Sequence, residues 1–150
     1  MNDICFELNV EPMSQKEIKP DLTRSDVIKL IAVANKQPLD LMGVNLSEVD
    51  LSNLNLSGAL LARANLSGAD LYGACLNNAN LCYADLSGAN LSCAKLFNAD
   101  LTHANLTDAN LCYAALIRVN LWETNLTNAD LYRANLTDAV AVLTDAYLPK

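Results

Sequence analysis

The side chains that could carry chemistry are few in type and scattered along the chain. His103 is the only histidine, so a catalytic triad or a metal site would have to be built around a single imidazole. The cysteines show no Cys-x-x-Cys spacing or other metal-ligand pattern, and no glycine-rich phosphate loop is present. The cysteines are Cys5, Cys75, Cys82, Cys93 and Cys112. We therefore predict no catalytic residue, no cofactor and no metal ion, and we interpret the chain as non-enzymatic.

Net charge and composition exclude several classes of partner. With 17 acidic and 10 basic side chains the formal net charge is −7, which disfavours nonspecific binding to nucleic acid or to an anionic membrane. No apolar run approaches the roughly 18–20 residues that are needed to span a bilayer. An odd number of cysteines, and an N-terminus without a basic region before its apolar residues, indicate free thiols and no secretory signal. We expect a cytoplasmic protein.

A period of five residues organises most of the chain. Every fifth residue from Leu46 to Leu136 is leucine, 19 in succession, which is far beyond chance even for a common residue. The residue two positions before each leucine is small and apolar, with alanine in 14 of the 19 cases. Asn or Asp directly precedes the leucine in 15 of the 19 cases, and we expect a structural hydrogen bond from this side chain.

Neither regular secondary structure has a period of five. Residues i and i+5 of a helix point about 140° apart, and successive leucines on an unbroken strand would point to opposite faces. Within one pentad, however, Ala-Asn-Leu alternates as a strand does. We therefore predict one short extended piece and one corner in each pentad, with alanine and leucine inward, and coils stacked about 4.8 Å apart.

The Ala-(Asn/Asp)-Leu-x-x pattern resembles the pentapeptide-repeat family from about Leu39 to Leu148. The resemblance implies an all-β fold, a right-handed quadrilateral β-helix of about five coils with four pentapeptides in each coil. Four pentads lack Asn or Asp before the leucine, at Leu60, Cys75, Lys95 and Ala115. The last three are each separated by four pentads and would stack in one column, which supports this coil length.

Two details follow from this arrangement. Cys75 and Cys93 are expected on adjacent coils near one corner, and whether they can pair stays open. The leucine frame shifts by two residues after Leu136, which predicts a bulge or an altered corner near Ala139–Val140.

Residues 1–38 do not repeat and are predicted to form an N-terminal extension with a capping helix, ahead of a repeat domain over 39–150. Apolar spacing predicts a helix from Ser25 to Lys36, which Pro38 ends. A period-two pattern predicts a strand before it, with Ile4, Phe6, Leu8 and Val10 on one face.

The ends of a β-helix expose apolar core and unpaired backbone, and both favour end-to-end aggregation. We expect the amphipathic helix to cover the first coil at Leu41, Val44 and Leu46. The tail from Thr144 to Lys150 is too short for an equal cap. We therefore expect the tail itself, or a second copy of the protein in a homodimer, to cover the C-terminal end.

Large side chains that interrupt the Ser/Thr/Asn surface mark a candidate interaction patch. If each coil holds four pentads, they gather near one corner in the C-terminal half of the repeat. A cluster of aromatic, aliphatic and arginine side chains is typical of binding hot spots. The five tyrosines, by contrast, are expected on different sides. The patch consists of Lys95, Phe97, Ile117, Arg118 and Trp122.

Two functions remain open. The leading hypothesis is a rigid protein–protein interaction module with an unidentified protein partner. The alternative comes from the resemblance, because some members of the family mimic B-form DNA and bind type II topoisomerases such as gyrase. The acidic side chains here are spread over all sides and interrupted by arginines, and the chain lacks the C-terminal dimerisation helix of the DNA mimics.

Overall fold

The computed structural model describes residues 19–34 and 37–141. The strand expected around Ile4–Val10 and the tail from Thr144 to Lys150 lie outside these residues.

The repeat winds into coils of four pentads each. Parallel bridges join each residue that precedes a pentad leucine to the equivalent residue four pentads further on, from Asp40 with Leu60 to Asn120 with Val140. These are isolated bridges, so no side of a coil carries a longer strand within the described residues. The corners add further backbone bonds between coils, as the Gly88 N–H donates to the Thr107 carbonyl at 2.8 Å. The predicted coil length is confirmed, and each coil has four sides of one pentad each.

Each corner is a four-residue turn that begins at the pentad leucine. In one example Ala89 N–H donates to the Leu86 carbonyl at 3.0 Å, and Gly88 between them has a φ of 65°. A left-handed φ at the third turn position, together with this hydrogen bond, is typical of a type II β-turn. The same φ recurs at every equivalent position from Gly43 to Asp138, and only five of these positions hold glycine. The packed core and the ladder must therefore offset backbone strain at most corners.

The Asn or Asp side chain before each leucine fastens the corner. Its Oδ1 accepts the N–H of the residue after the leucine, as Asp85 accepts from Ser87 at 3.0 Å. All sixteen pentads between Asp40 and Asn135 that have Asn or Asp at this position make the bond, at 2.9–3.2 Å. The predicted structural role of this position is confirmed.

Leucine and alanine fill the interior of the coils. The pentad leucines from Leu41 to Leu121 are buried, and so are the alanines that lie two positions before them. Burial decreases in the last described coil, where Leu131 and Leu136 are only partly buried. The inward orientation predicted for both residue types is confirmed.

The helix α1 spans Arg24–Val33. Thr23 is its N-cap: its hydroxyl accepts the N–H of Asp26, whose carboxylate accepts the Thr23 N–H. This capping box starts the helix one residue earlier than the predicted range from Ser25 to Lys36. The prediction of its end is corrected as well: Ala34 is the C-cap, and its carbonyl accepts the Gln37 N–H at 2.8 Å, since Pro38 has no N–H that could continue the α-helical pattern.

The helix α1 packs against the first coil. Val27 is buried in the same apolar core as Leu41 and Leu46. The Arg24 guanidinium donates to the Asp50 carboxylate at 2.8 Å and to the Ser52 carbonyl at 3.0 Å. Apolar contact and hydrogen bonds therefore both join the helix to the repeat.

The ladder keeps its register to the end of the described residues. Val140 N–H donates to the Val119 carbonyl at 2.9 Å, and the Val140 carbonyl accepts the Leu121 N–H at 2.7 Å. Val140 therefore occupies its regular place and no bulge precedes it, while the altered corner, the other possibility, would fall on residues after Ala141 and lies outside the described residues.

Candidate protein-interaction surface

One side of the coils departs most from the repeat, and we call it the Phe97 side. Three of its five pentads lack the Asn or Asp that fastens the corner, and the bridges place Cys75, Lys95 and Ala115 in one column. The predicted stacking of these three positions is confirmed. The side consists of the pentads 54–58, 74–78, 94–98, 114–118 and 134–138.

Phe97 and Arg118 contact each other across neighbouring coils. The Arg118 guanidinium carbon lies 5.8 Å from the centre of the Phe97 ring, within the range of a cation–π interaction. The ring is 36% exposed. Arg118 Nε also lies 3.5 Å from an oxygen of Asp138, and both side chains remain largely exposed. The guanidinium is therefore placed over an aromatic ring and still accessible to a partner.

Ile117 and Lys95 complete this part of the surface. Asn98 N–H donates to the Ile117 carbonyl at 3.1 Å, which places the pentad of Ile117 directly against the pentad of Phe97. Ile117 is half-buried and Lys95 is exposed. The structure thus brings together four of the five predicted patch residues on one side.

Asn77 supports Phe97, and the sequence analysis did not identify it. Lys95 cannot accept the N–H of Phe97, as an Asn or Asp in its place would. The Oδ1 of Asn77, one coil earlier, accepts that N–H at 3.0 Å, and its Nδ2 donates to the Cys75 sulfur at 3.3 Å. Asn77 occupies a position that is usually Ser or Thr in this repeat, which is the only sequence signal for its role.

Trp122 lies on the next side of the coil, beyond the corner at Arg118. Its N–H donates to Asn120 Oδ1 at 3.1 Å and its carbonyl accepts the His103 N–H at 2.9 Å. Its side chain is 44% exposed. The patch therefore bends around a corner, with Trp122 on the side next to its other four residues.

A second group of exposed side chains stacks along the corner near Trp122. The rings of Tyr83 and His103 stack with their centres 4.6 Å apart, and Arg63 lies 5.8 Å from the Tyr83 ring centre. At the other end His103 Nδ1 lies 3.1 Å from a Glu123 oxygen. Equivalent residues of successive coils thus form a continuous column, in which His103 is a surface residue paired with its neighbours.

The tyrosines are less scattered than expected. Tyr113 and Tyr132 pack edge to face with ring centres 5.8 Å apart, and Arg133 lies 5.8 and 5.4 Å from the two rings. Tyr72 occupies the same column as Tyr132, three coils away. The expectation of different sides is corrected for Tyr72, Tyr113 and Tyr132, because the coil of four pentads places all three on one side.

Two of the thiols, Cys82 and Cys112, have surroundings that raise their pKa. Partial burial, with help from the Asp100 carboxylate, raises the pKa of Cys82 to about 11. A hydrogen bond to Asp130, together with desolvation, raises the pKa of Cys112. Since the thiolate is the reactive species, these two positions are unsuited to nucleophilic chemistry. Cys75 and Cys93 are free thiols.

Within residues 19–34 and 37–141 no three His, Cys, Asp or Glu side chains are grouped so that they could hold a metal ion. Over the same residues no helix has the length and apolar character to cross a membrane.

Two solved structures resemble the chain clearly. A pentapeptide repeat protein from the thylakoid lumen of Arabidopsis thaliana is 34% identical over 66% of this chain and 66% of its own, with a TM-score of 0.53. HetL, a pentapeptide repeat protein involved in heterocyst differentiation regulation in the cyanobacterium Nostoc, is 31% identical over 73% of this chain and 64% of its own, with a TM-score of 0.50. The chain thus spans just under two thirds of the length of each.

A more distant match is QnrB1, a plasmid-mediated fluoroquinolone resistance protein. It is 23% identical over 66% of this chain and 63% of its own, with a TM-score of 0.38, and this likeness adds nothing about activity. No curated protein matches the chain.

The family described as pentapeptide repeats matches in eight copies, over residues 40–78, 74–111 and 104–140. Its members form right-handed quadrilateral β-helices, which agrees with the four-sided coils described above. The chain therefore belongs to the pentapeptide-repeat family.

Proposed function

We propose that the chain is a non-enzymatic interaction module, a rigid rod that presents the patch Lys95, Phe97, Ile117, Arg118 and Trp122 to a protein partner. The observation that carries the proposal is the exposed Phe97 ring under the Arg118 guanidinium, with the exposed indole of Trp122 around the corner. Aromatic and arginine side chains dominate the binding energy of most protein interfaces.

The rod suits this task because its backbone is fixed on every side. Inner pentads are bonded to the coils before and after them: the Asp85 N–H donates to the Ala64 carbonyl of the coil before at 3.0 Å, and the Leu86 N–H donates to the Asn105 carbonyl of the coil after at 2.7 Å. A preorganised surface loses little conformational entropy when a partner binds. The few large side chains can then supply most of the binding energy, and the small Ser and Asn side chains around them provide a surface of complementary shape.

In this proposal α1 caps the N-terminal end of the repeat. Val27 enters the core, and the guanidinium of Arg24 binds the first coil, so the helix covers apolar surface that would otherwise favour end-to-end association. We propose the C-terminal end, where Leu131 and Leu136 are only partly buried, as the place where a second copy could add in a homodimer.

We also propose that the protein works in a reducing compartment, the cytoplasm. The supporting observation is that Cys75, Cys82, Cys93 and Cys112 are all free thiols.

The experiment that tests the function is a double change, Phe97→Ser and Trp122→Ser. Both side chains are exposed, so the fold should persist, and capture of the partner from native cell extract should weaken more than tenfold, about 1.4 kcal/mol. Tyr72→Ser is the matched control, since this ring is also exposed but lies on another side.

Sedimentation of the parent and the double variant would show whether the partner is a second copy. A gyrase supercoiling assay with added protein addresses the DNA-mimic alternative, and we expect no inhibition. If the double variant melts normally and still captures its partner as tightly as the parent, the patch is not the binding surface.

A further inference from the structure

The four sides of the coils differ in charge. The Phe97 side carries Lys95 and Arg118 against a single carboxylate, Asp138, for a formal charge of +1. The side opposite to it carries three carboxylates and no basic residue, for a formal charge of −3. The carboxylates of that opposite side are Glu48, Asp85 and Asp108.

The remaining two sides are also acidic, each with three carboxylates and one arginine and a formal charge of −2 when His103 is neutral. The arginines are Arg63 and Arg133, and both stand over tyrosine rings. The Phe97 side is therefore the one side of the described repeat, residues 39–140, without a net negative charge.

The positive charges of the Phe97 side are available to a partner. Within residues 19–34 and 37–141 no carboxylate oxygen lies within 4.0 Å of the Lys95 ammonium, which is exposed. Arg118 has Asp138 at 3.5 Å, but both side chains are about 60% exposed, and an exposed pair of this kind is weak. Both positive charges therefore remain available to interact with a partner.

The apolar side chains lie between these charges on the same side of the coils, in the column of Phe97 and Ile117. Phe97 is two residues from Lys95, and Ile117 directly precedes Arg118. A partner segment that places an apolar side chain on Phe97 and Ile117 would therefore bring its flanking residues to Lys95 and Arg118. Carboxylates at those flanking positions would meet positive charge here and repulsion on the other three sides.

We propose that the Phe97 side binds an acidic protein segment that carries apolar residues, and that the acidic charge of the other sides confines such a segment to this one. The inference rests on the proposed function and adds the chemical class of the partner. Electrostatics sets which side and which segment associate, while Phe97 and Ile117 supply the apolar contact.

The test uses three fluorescein-labelled peptides and the full chain. In the first peptide Leu and Phe are spaced by Glu and Ser, in the second Lys replaces each Glu, and in the third Ser replaces each Leu and Phe. Fluorescence anisotropy should show binding of the first peptide, which weakens as salt rises. The second and third peptides should bind at least tenfold more weakly.

Charge reversal localises the binding. The double change Lys95→Glu and Arg118→Glu should weaken binding of the first peptide more than tenfold. The matched control is Arg63→Glu with Arg133→Glu, which changes the net charge equally but on two other sides, and it should change the affinity less than twofold. Thermal melting confirms that both variants are folded.

Three outcomes would overturn the inference: no binding of the first peptide, equal binding of the lysine peptide, or equal loss in the control variant. The outcome for the proposed function is separate. If Phe97→Ser with Trp122→Ser abolishes capture of the natural partner while Lys95→Glu with Arg118→Glu does not, the interaction surface stands and the acidic partner is wrong.

Discussion

Replacing Leu86 by Ala in the middle of the rod tests how the core is built. Leu86 is fully buried, and Leu66 and Leu106 occupy the equivalent positions one coil before and one coil after it. The Leu86 N–H donates to the Asn105 carbonyl at 2.7 Å, and Asp85 is bridged to both neighbouring coils. The backbone around the site is therefore held at the strand spacing and cannot close over a cavity.

The expected cost follows from this geometry. The change removes three carbon atoms from the core, which at about 0.8 kcal/mol each is roughly 2.4 kcal/mol of lost transfer free energy. A cavity that cannot collapse adds about 24 cal/mol for each Å³ that remains. We expect a total loss of about 3–5 kcal/mol in the free energy of unfolding, near the upper end for such substitutions.

Urea unfolding followed by circular dichroism measures this loss, with Ser87→Ala as the matched control. Ser87 is the next residue, points outward, and keeps its backbone bond to Asp85 when its hydroxyl is removed. We expect a change within about 0.5 kcal/mol for the control. Comparable losses at Leu86 and Ser87 would refute the assignment of inward and outward positions, and a loss below about 2 kcal/mol at Leu86 would refute the argument from the fixed coil spacing.

Other perturbations examine the corners, a thiol and the N-terminal end. Gly88→Ala should cost about 1–2 kcal/mol in chemical denaturation because φ there is 65°, although the space around it is open, and Gly88→Asn should cost less, since Asn78 adopts a φ of 58° at an equivalent corner. The pKa of Cys82 is raised from 9.0 to about 11, so its contribution to stability is present below about pH 9 and lost as the pH rises to about 11. Stability should therefore fall less steeply over that window in Cys82→Ser than in the parent. Deleting residues 1–38 should cause aggregation or end-to-end oligomers in light scattering, and a soluble monomer with unchanged melting would contradict the capping role.

The coil architecture was predictable because one constraint repeats in every pentad. Nearly every side chain that points inward is apolar, and most corners are fastened by Asn or Asp, so Leu46 to Leu136 and the Asn/Asp positions show the period without any structure. The inward position of Leu86 and the outward position of Ser87 follow from that period alone.

The contacts between side chains of successive coils were harder to predict, because they also join residues of neighbouring columns and not only residues of one column. Tyr113 meets Tyr132 because the third position of one turn approaches the second position of the next coil, a pairing that a strict spacing of four pentads does not give. The bond from Phe97 N–H to Asn77 arises only because Lys95 leaves that N–H without its usual acceptor. The repeat pattern around Phe97 cannot show which residue of a neighbouring coil supplies the missing hydrogen-bond acceptor.

Three positions of the Phe97 side carry no Asn or Asp. Where the fastening bond is therefore missing, we expect the free energy of unfolding to be lower than it would be with the bond. Ile117 N–H has no acceptor among the described residues, because Ala115 cannot supply one, whereas Phe97 N–H is already bonded to Asn77. Ala115→Asn should therefore stabilise the protein by about 0.5–1.5 kcal/mol, the value of a typical hydrogen bond, and Lys95→Asn should stabilise it by less.

The two changes should also separate stability from binding. Lys95→Asn removes a positive charge from the interaction surface and should weaken the acidic peptide, while Ala115→Asn leaves both charges in place and should affect binding less. Proteins commonly depart from their local structural rules at functional sites and lose stability there. If Lys95→Asn stabilises the rod as much as Ala115→Asn, Asn77 is not a substitute acceptor. If neither change alters peptide binding, the departures in this column have no part in recognition.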